Sequence, residues 1–532
     1  MTIPITTRLQ HNASAFPEKP AFIFPGHKSS WERLTYRQLS ERSDLFARGL
    51  AAYGLRPGTR AVLMTPPGLD FFALVFAMLQ SGIVPVMIDP AIGLRNVSPC
   101  IAETEAQVYF GSTLTHAIRR LFGWGKASLQ LSLSLADVAR AGFSAPAIQP
   151  AQVSPEAEAA IVYTSGSTGL PKGAIFTQVN FNAQIEMLVM ALQLRGDEID
   201  LPAFPLFALI DCLLGVTAVI PDMRFPPPAK VDPLRMLAAI QSQRVDTMFV
   251  SPVALAKFAR YGIANRLQMP GLKKVITAGA PAPAEVQAQI VSLLSPDAEL
   301  FGIYGSTEVL PVAIVNSREI LQETRYLSAQ GAGVCIGRAV KGAQVRIIPI
   351  KNTALSLPEA VSLPVGEIGE IAVQSLAATK KYVGREQVNR LAKIATDHGQ
   401  VIHRMGDLGY FDEQGRLWFC GRKSQMVVTE HGTLFTETIE GIFNAHPQVH
   451  RTALVGVEKA GQTIPTLWVE LAQSSWGADQ NQIRAELFEL ARTHEMAHSI
   501  KTILFHPAFP TDVRHNSKII REKLAVLAKK RL

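Results

Sequence analysis

Between Tyr163 and Gly173 the chain reads Tyr-Thr-Ser-Gly-Ser-Thr-Gly-Leu-Pro-Lys-Gly, a run of residue types suited to holding a polyanion. Gly166 and Gly169 let backbone N–H groups approach phosphate oxygens, Thr164, Ser165, Ser167 and Thr168 add hydroxyl donors, and Lys172 adds positive charge. The spacing is not that of the Walker loop, because two residues separate Gly166 from Gly169 and Gly173 follows Lys172. The preceding Ala159-Ala-Ile-Val-Tyr163 is apolar and partly β-branched, which predicts a buried strand feeding the loop. A flexible Ser/Gly linker is the competing reading, and a linker needs no such strand.

Three more clusters carry chemistry. In Tyr304-Gly305-Ser306-Thr307-Glu308, after the strand-like Leu300 to Ile303, Glu308 suits a hard cation such as Mg²⁺ and Thr307 a phosphate oxygen. Alone, the same residues also fit a solvated turn. Gly406-Asp407, followed by Gly415 and Gly421-Arg422, offers a carboxylate as double acceptor for the two hydroxyls of a ribose, with Arg422 as donor. A β-hairpin with an ordinary surface ion pair reads the same way. Lys518, in Arg514-His-Asn-Ser-Lys-Ile519, is a mobile point charge suited to the charge that develops when a carboxylate attacks an α-phosphate, or else one more solvated lysine in a basic tail.

Alternating elements must position these groups. Helical spacing runs from Leu34 to Tyr53 and from Phe71 to Leu79, with strands at Arg60 to Thr65 and Ile83 to Ile88. The pattern returns at Pro233 to Gln243 (helix), Thr247 to Val250 (strand), Ala254 to Tyr261 (helix) and Lys274 to Thr277 (strand). This predicts two α/β stretches with buried, mostly parallel strands. Short β-like runs between Val334 and Val373 predict a small antiparallel β unit. Beyond Gly421-Arg422 a compact α+β segment follows, with helices at Thr436 to Asn444 and Gln482 to Thr493.

At 532 residues the chain implies about two to four domains, and 48% hydrophobic against 18% charged residues implies a well-packed core. A net charge of +8 spread along the chain gives no support for nucleic-acid binding. Four dispersed cysteines without metal-ligand spacing, and a start without a basic-then-apolar segment, lead to the expectation of a cytoplasmic protein. The apolar region Phe71 to Ile88 is broken by Gln80, Ser81, Gly82 and Pro85, so no transmembrane span is expected. Arg119 to Lys126 and Lys529 to Arg531 suggest at most peripheral contact with anionic lipid, or equally a solvated surface around one buried aromatic.

Taken in order, the four motifs resemble the adenylate-forming superfamily of acyl-CoA synthetases, peptide-synthetase adenylation domains and luciferases, over nearly the whole chain. The resemblance implies a large N-terminal AMP-binding domain (1–421), of two α/β subdomains plus the β unit, and a mobile α+β lid (422–532). It implies ATP and Mg²⁺, with Thr164 to Lys172 on the phosphates and Gly279, Ala280 and Pro281 with Tyr304 around the adenine. Gly305 and Ser306 would also contact the nucleotide, Thr307 and Glu308 would take phosphate and metal, Asp407 and Arg422 the ribose, and Lys518 the adenylation transition state.

Several positions depart from the superfamily's usual residues. Pro205-Leu206-Phe207 is followed by Ala208 rather than histidine, Gln178 stands where Thr-His-x-Asn is common, Ser424 stands at the hinge, and the usual Arg-Ser-Gly-Lys is here Arg514 to Lys518. Phe204 to Leu209 with Asp211, and Asp512 to Ile519, are similar to the β-lactone synthetases of bacterial olefin biosynthesis. That resemblance implies adenylation of a long-chain β-hydroxy acid followed by attack of its own 3-hydroxyl, with other olefin-pathway enzymes as companions. Asp211 is the candidate for orienting or deprotonating that hydroxyl, or else a polar residue at a helix start. The alternatives are a long-chain fatty acid:CoA ligase, an acyl-AMP ligase that loads a carrier protein, and a non-catalytic acyl or nucleotide sensor.

Overall fold

A computed structural model describes residues 4–26, 30–89, 92–164, 171–221, 231–511 and 518–532, with the backbone alone at 205 and 206. The predicted alternation is present. Helices Tyr36–Ala52 and Leu69–Gln80 flank strands Arg60–Met64 and Val84–Met87, and Pro233–Gln243, Thr247–Val250, Pro252–Ala264 and Lys274–Ala278 follow the second stretch. Capping explains several boundaries. Thr35 and Gln38 form a capping box ahead of the first helix, and Asp232 and Ser251 cap helices that then open with a proline.

Six strands make the first sheet, in the order Leu131–Leu133, Val108–Gly111, Arg60–Met64, Val84–Met87, Glu158–Thr164, Lys172–Thr177, parallel except for the last pair. In the second sheet Pro20–Pro25, Thr217–Val219, Ile199–Pro202, Thr247–Val250, Lys274–Ala278 and Glu299–Ser306 run parallel. The small antiparallel unit is hydrogen-bonded onto this sheet through Val334–Ala339, so the two form one fourteen-stranded surface. Helix Leu69–Gln80 is buried along nearly its whole length between the layers, as an all-round apolar helix must be.

Strand Leu417–Arg422 ends at the 3₁₀ turn Lys423–Gln425, where Ser424 is exposed. Past it, strands Val449–Lys459, Gln462–Leu471 and Thr502–Phe505 form a separate sheet with its own core around Phe443, Leu454 and Leu487. Arg521, which opens the helix Arg521–Lys529, knots this unit together. Its guanidinium donates to Glu440 Oε2 at 2.8 Å and to Gln425 Oε1 of the 3₁₀ turn at 3.1 Å. At the C-terminus Lys529, Lys530 and Arg531 are exposed, with the Arg531 guanidinium 5.1 Å from the Trp468 ring. In Arg119 to Lys126, Trp124 is buried while Leu121 and Phe122 are exposed. Among the described residues no helix is long and apolar enough to cross a membrane, and all four cysteines are buried and unpaired.

Candidate active site

The strand Glu158–Thr164 is buried as predicted, but it turns straight back as Lys172–Thr177, with Thr164 opposite Lys172. The phosphate-loop candidate therefore lies between two strands that pair antiparallel. Ser165, Gly166, Ser167, Thr168 and Gly169 lie outside the described residues, whereas Thr164 and Lys172 stand at the paired ends of those strands. Beside the returning strand runs 381–383, held by Ile175 N donating to Lys381 O at 3.1 Å and Val383 N to Gly173 O at 2.9 Å. This pairing brings the Tyr382 ring under Lys172, whose Nζ lies 5.5 Å from its centroid.

Thr307 and Glu308 are the two turn residues of a second hairpin, between Glu299–Ser306 and Val309–Asn316. Gly305 is required there, since a Cβ would come within 2.8 Å of Val309 O and 2.7 Å of a Leu310 methyl. The Tyr382 hydroxyl donates to Glu308 Oε1 at 2.6 Å, and Thr379 N donates to the Glu308 carbonyl at 2.8 Å. Behind them lies Lys393, whose Nζ donates to Thr379 O at 2.5 Å and faces the other residues of a buried charged group. Burial opposes ionisation of Glu308, yet His403, the Tyr382 hydroxyl and Lys393 together hold its carboxyl down at about 2. Burial lowers Lys393 to about 7, and burial with the Lys393 charge lowers His403 to about 3. Glu308 is thus a carboxylate at neutral pH and His403 an uncharged ring.

Gly279, at φ 94°, lets the chain turn at the end of Lys274–Ala278. Register places Ala278 beside Ile303, so Gly279, Ala280 and Pro281 leave the sheet next to Tyr304. The Tyr304 hydroxyl donates to Asp407 Oδ2 at 2.7 Å. Asp407 and Arg422 are opposite residues of paired strands, and Arg422 Nη1 is 2.9 Å from Asp407 Oδ1. Burial raises the Asp407 carboxyl, while Arg422, the Tyr304 hydroxyl and Lys518 draw it back. Lys518 therefore acts electrostatically on Asp407 across the 3₁₀ turn. Its position follows from a bridge between Thr511 and Ile519 and from Ile520 N donating to Pro510 O at 2.8 Å. Residues 512–517 lie outside the described residues.

Asp211 stands apart from the others. It lies on the helix Pro205–Leu214, against Asp200, in an apolar cavity of about 40 Å³ bordered by Leu192, Phe207, Phe249, Ile276 and Ile303. Asp200 is level with Glu299 in the sheet, five residues before Tyr304, which is roughly 16 Å along the strand. Asp211, beside Asp200, is thus set well along the sheet from Tyr304, and a direct contact with the 3-hydroxyl is the part of its proposed role that mutation tests. Burial is the main cause that pushes Asp211 to about 8, against the lowering effect of its hydrogen bond with Asp200. A folded-state value above the unfolded one means that the folded form holds the extra proton. The contribution of Asp211 to stability is therefore greatest at low pH and falls as pH rises from about 4 through 8. Asp211→Asn is expected to make that fall shallower in thermal unfolding between pH 5 and 9, and to leave the rate of lactone formation within about threefold of the parent. A lactone rate that collapses in a folded Asp211→Asn protein would support the chemical role.

Tyr382, Lys393 and His403 were not singled out from sequence. For Lys393 and His403 the signal is a charged or polar residue at inward positions of apolar strands, Lys393 opposite His403, whereas Tyr382 makes only an isolated bridge to Ala174. The arrangement fits a nucleotide with its metal. Ser306 Oγ is buried without a hydrogen-bond partner among the described residues, as a group awaiting a ligand oxygen would be. No group of three or more His, Cys, Asp or Glu is placed to hold a metal among the described residues. One carboxylate is nevertheless a sufficient protein ligand for Mg²⁺ that is otherwise held by phosphates and water.

Paired hairpins at the strand ends of a doubly flanked sheet, with a ribose-type carboxylate and a lysine brought in from a second unit, agree with the sequence comparison: the chain belongs to the AMP-binding enzyme family, whose model matches residues 9–383. Within it, the chain is 43% identical to an olefin beta-lactone synthetase of Stenotrophomonas maltophilia over 98% of each protein. It is 42% identical to an olefin beta-lactone synthetase of Xanthomonas campestris pv. campestris, over 93% of this chain and 91% of that protein. Among solved structures it is similar to the O-succinylbenzoate coenzyme A synthetase of Bacillus subtilis in complex with ATP and magnesium ion. The TM-score there is 0.75 at 19% identity, covering 97% of this chain and 99% of that one.

Proposed function

We propose that this protein is a β-lactone synthetase that activates a long-chain β-hydroxy acid with ATP and closes it on itself. The observation that carries this reading is the 43% identity, over 98% of both chains, to an olefin beta-lactone synthetase. In the first step a carboxylate oxygen of the acid attacks the α-phosphorus, the bond to the β-phosphate oxygen breaks, and pyrophosphate leaves. Thr164, Lys172 and the intervening loop hold the phosphates, Thr307 bonds a phosphate oxygen, and Gly279 to Pro281 with Tyr304 flank the adenine. Asp407 and Arg422 hold the ribose, and Lys518 neutralises charge growing on the α-phosphate. Glu308 would hold Mg²⁺, which supplies charge neutralisation on the phosphate oxygens when bound.

In the second step the 3-hydroxyl oxygen attacks the acyl carbonyl, the bond to AMP breaks, and the hydroxyl proton is lost to solvent or base. A four-membered lactone results. Because both partners are in one molecule, positioning replaces an external nucleophile, and such reactions reach very high effective concentrations. The division at 421/422 makes the C-terminal unit the lid. Other olefin-pathway enzymes would supply the acid and consume the lactone.

Purified protein incubated with ATP, Mg²⁺ and a long-chain β-hydroxy acid is expected to give lactone, AMP and pyrophosphate without coenzyme A. A thioester formed only when coenzyme A is added would replace this reading with that of an acyl-CoA ligase.

A further inference from the structure

We propose that Tyr382 is the positioning residue that ties the phosphate-loop lysine to the metal-binding carboxylate. The inference rests on the ATP-site reading above. Tyr382 is 4% exposed, and its backbone is already pinned, with its N–H donating to Asn389 Oδ1 at 2.7 Å and its carbonyl accepting from Asn389 Nδ2 at 3.0 Å. Its side chain is therefore spared for other work. The hydroxyl donates to Glu308 Oε1 at 2.6 Å, and Lys172 Nζ and Lys393 Nζ lie 5.5 Å and 5.3 Å from its ring centroid.

A buried tyrosine needs only one acceptor, and a backbone carbonyl would suffice for packing. Here the acceptor is an ionised carboxylate, and the ring carries an ammonium group that belongs to the other hairpin. Two features follow. The hydroxyl occupies one carboxylate oxygen of Glu308 and so sets the direction in which the rest of the carboxylate faces. The ring's negative face holds Lys172 at the level of that carboxylate without pairing the two, because a direct ion pair would take both away from phosphate and metal. Without the hydroxyl, Glu308 is drawn toward Lys393.

Calorimetric titration of ATP at stepped Mg²⁺ concentrations reads both connections without turnover. Tyr382→Phe keeps the ring and is expected to raise the Mg²⁺ midpoint about tenfold, the size of one hydrogen bond to a charged group, with ATP affinity at saturating Mg²⁺ within about twofold. Tyr382→Leu is expected to weaken ATP binding by a further ~fivefold through loss of the ring face. In the double variant Tyr382→Phe/Glu308→Gln, the tyrosine change is expected to add almost nothing to the glutamine change, because both remove the same link. A Tyr382→Phe protein with the parent's Mg²⁺ midpoint, or additive effects in the double variant, overturns the proposal. Parent protein that binds no ATP overturns the adenylation reading itself and this proposal with it.

Discussion

Replacing Lys518 with methionine is expected to lower acyl-adenylate formation by about 10²–10³-fold, the effect of removing one preorganised charge-stabilising donor from a transition state. Methionine keeps the length and apolar stem of lysine and removes the charge. The base of the Lys518 loop is fixed by the Thr511 to Ile519 bridge, which involves no Lys518 side-chain atom, so the fold is expected to survive. Pyrophosphate release in a single turnover with ATP and β-hydroxy acid measures the first step. Lactone release from synthetic acyl-adenylate measures the second, and there the loss is expected to be much smaller because no phosphoryl charge develops. Equal losses in both steps would remove Lys518 from its assigned role.

The second large effect is on stability. Glu370 and Arg404 are 1% and 2% exposed in their side chains and lie 2.5 Å apart. Arg404 also donates to the carbonyls of Thr353 at 2.7 Å and Leu391 at 3.0 Å, and Lys423 Nζ lies 3.0 Å from Glu370. Glu370→Ala leaves a guanidinium buried beside an ammonium with no counter-charge, which costs about 3–5 kcal/mol. Urea unfolding followed by tryptophan fluorescence should show the loss as a lower midpoint. Replacing both Glu370 and Arg404 with apolar residues of similar volume is expected to recover much of it, since the desolvation cost then disappears as well. A Glu370→Ala protein with the parent midpoint would mean that water reaches this pair.

The α/β stretches were legible because buried parallel strands read as short apolar runs between amphipathic helices. Pro233–Gln243 and Thr247–Val250 have the bounds expected from periodicity and capping. The antiparallel partners of both hairpins were harder to read. Lys172–Thr177 and Val309–Asn316 contain short apolar runs (173–176 and 309–315) directly after a polar motif, and nothing local says whether such a run turns back or crosses over. Motif residues were legible by type, yet their mutual contacts were not. The Tyr304 to Asp407 hydrogen bond joins positions 103 residues apart, and the Tyr382 to Glu308 bond joins positions 74 apart. Asp211 shows the converse. Its place in the sequence, just after an altered motif, suggested chemistry, while its depth in the sheet follows only from strand register.

The knot of Arg521, Glu440 and Gln425 has a kinetic meaning. Arg521 is three residues past Lys518, and Gln425 is in the turn on which the C-terminal unit would pivot. In the proposed division at 421/422, a swing about 423–425 would carry Arg521 and Lys518 together, and with them the charge proposed to face the nucleotide. An enzyme awaiting a thiol must make that swing before its second step. In the proposed ring closure the acceptor hydroxyl is already inside the pocket, and such a swing would serve instead to open an exit for AMP and the lactone once the ring has formed.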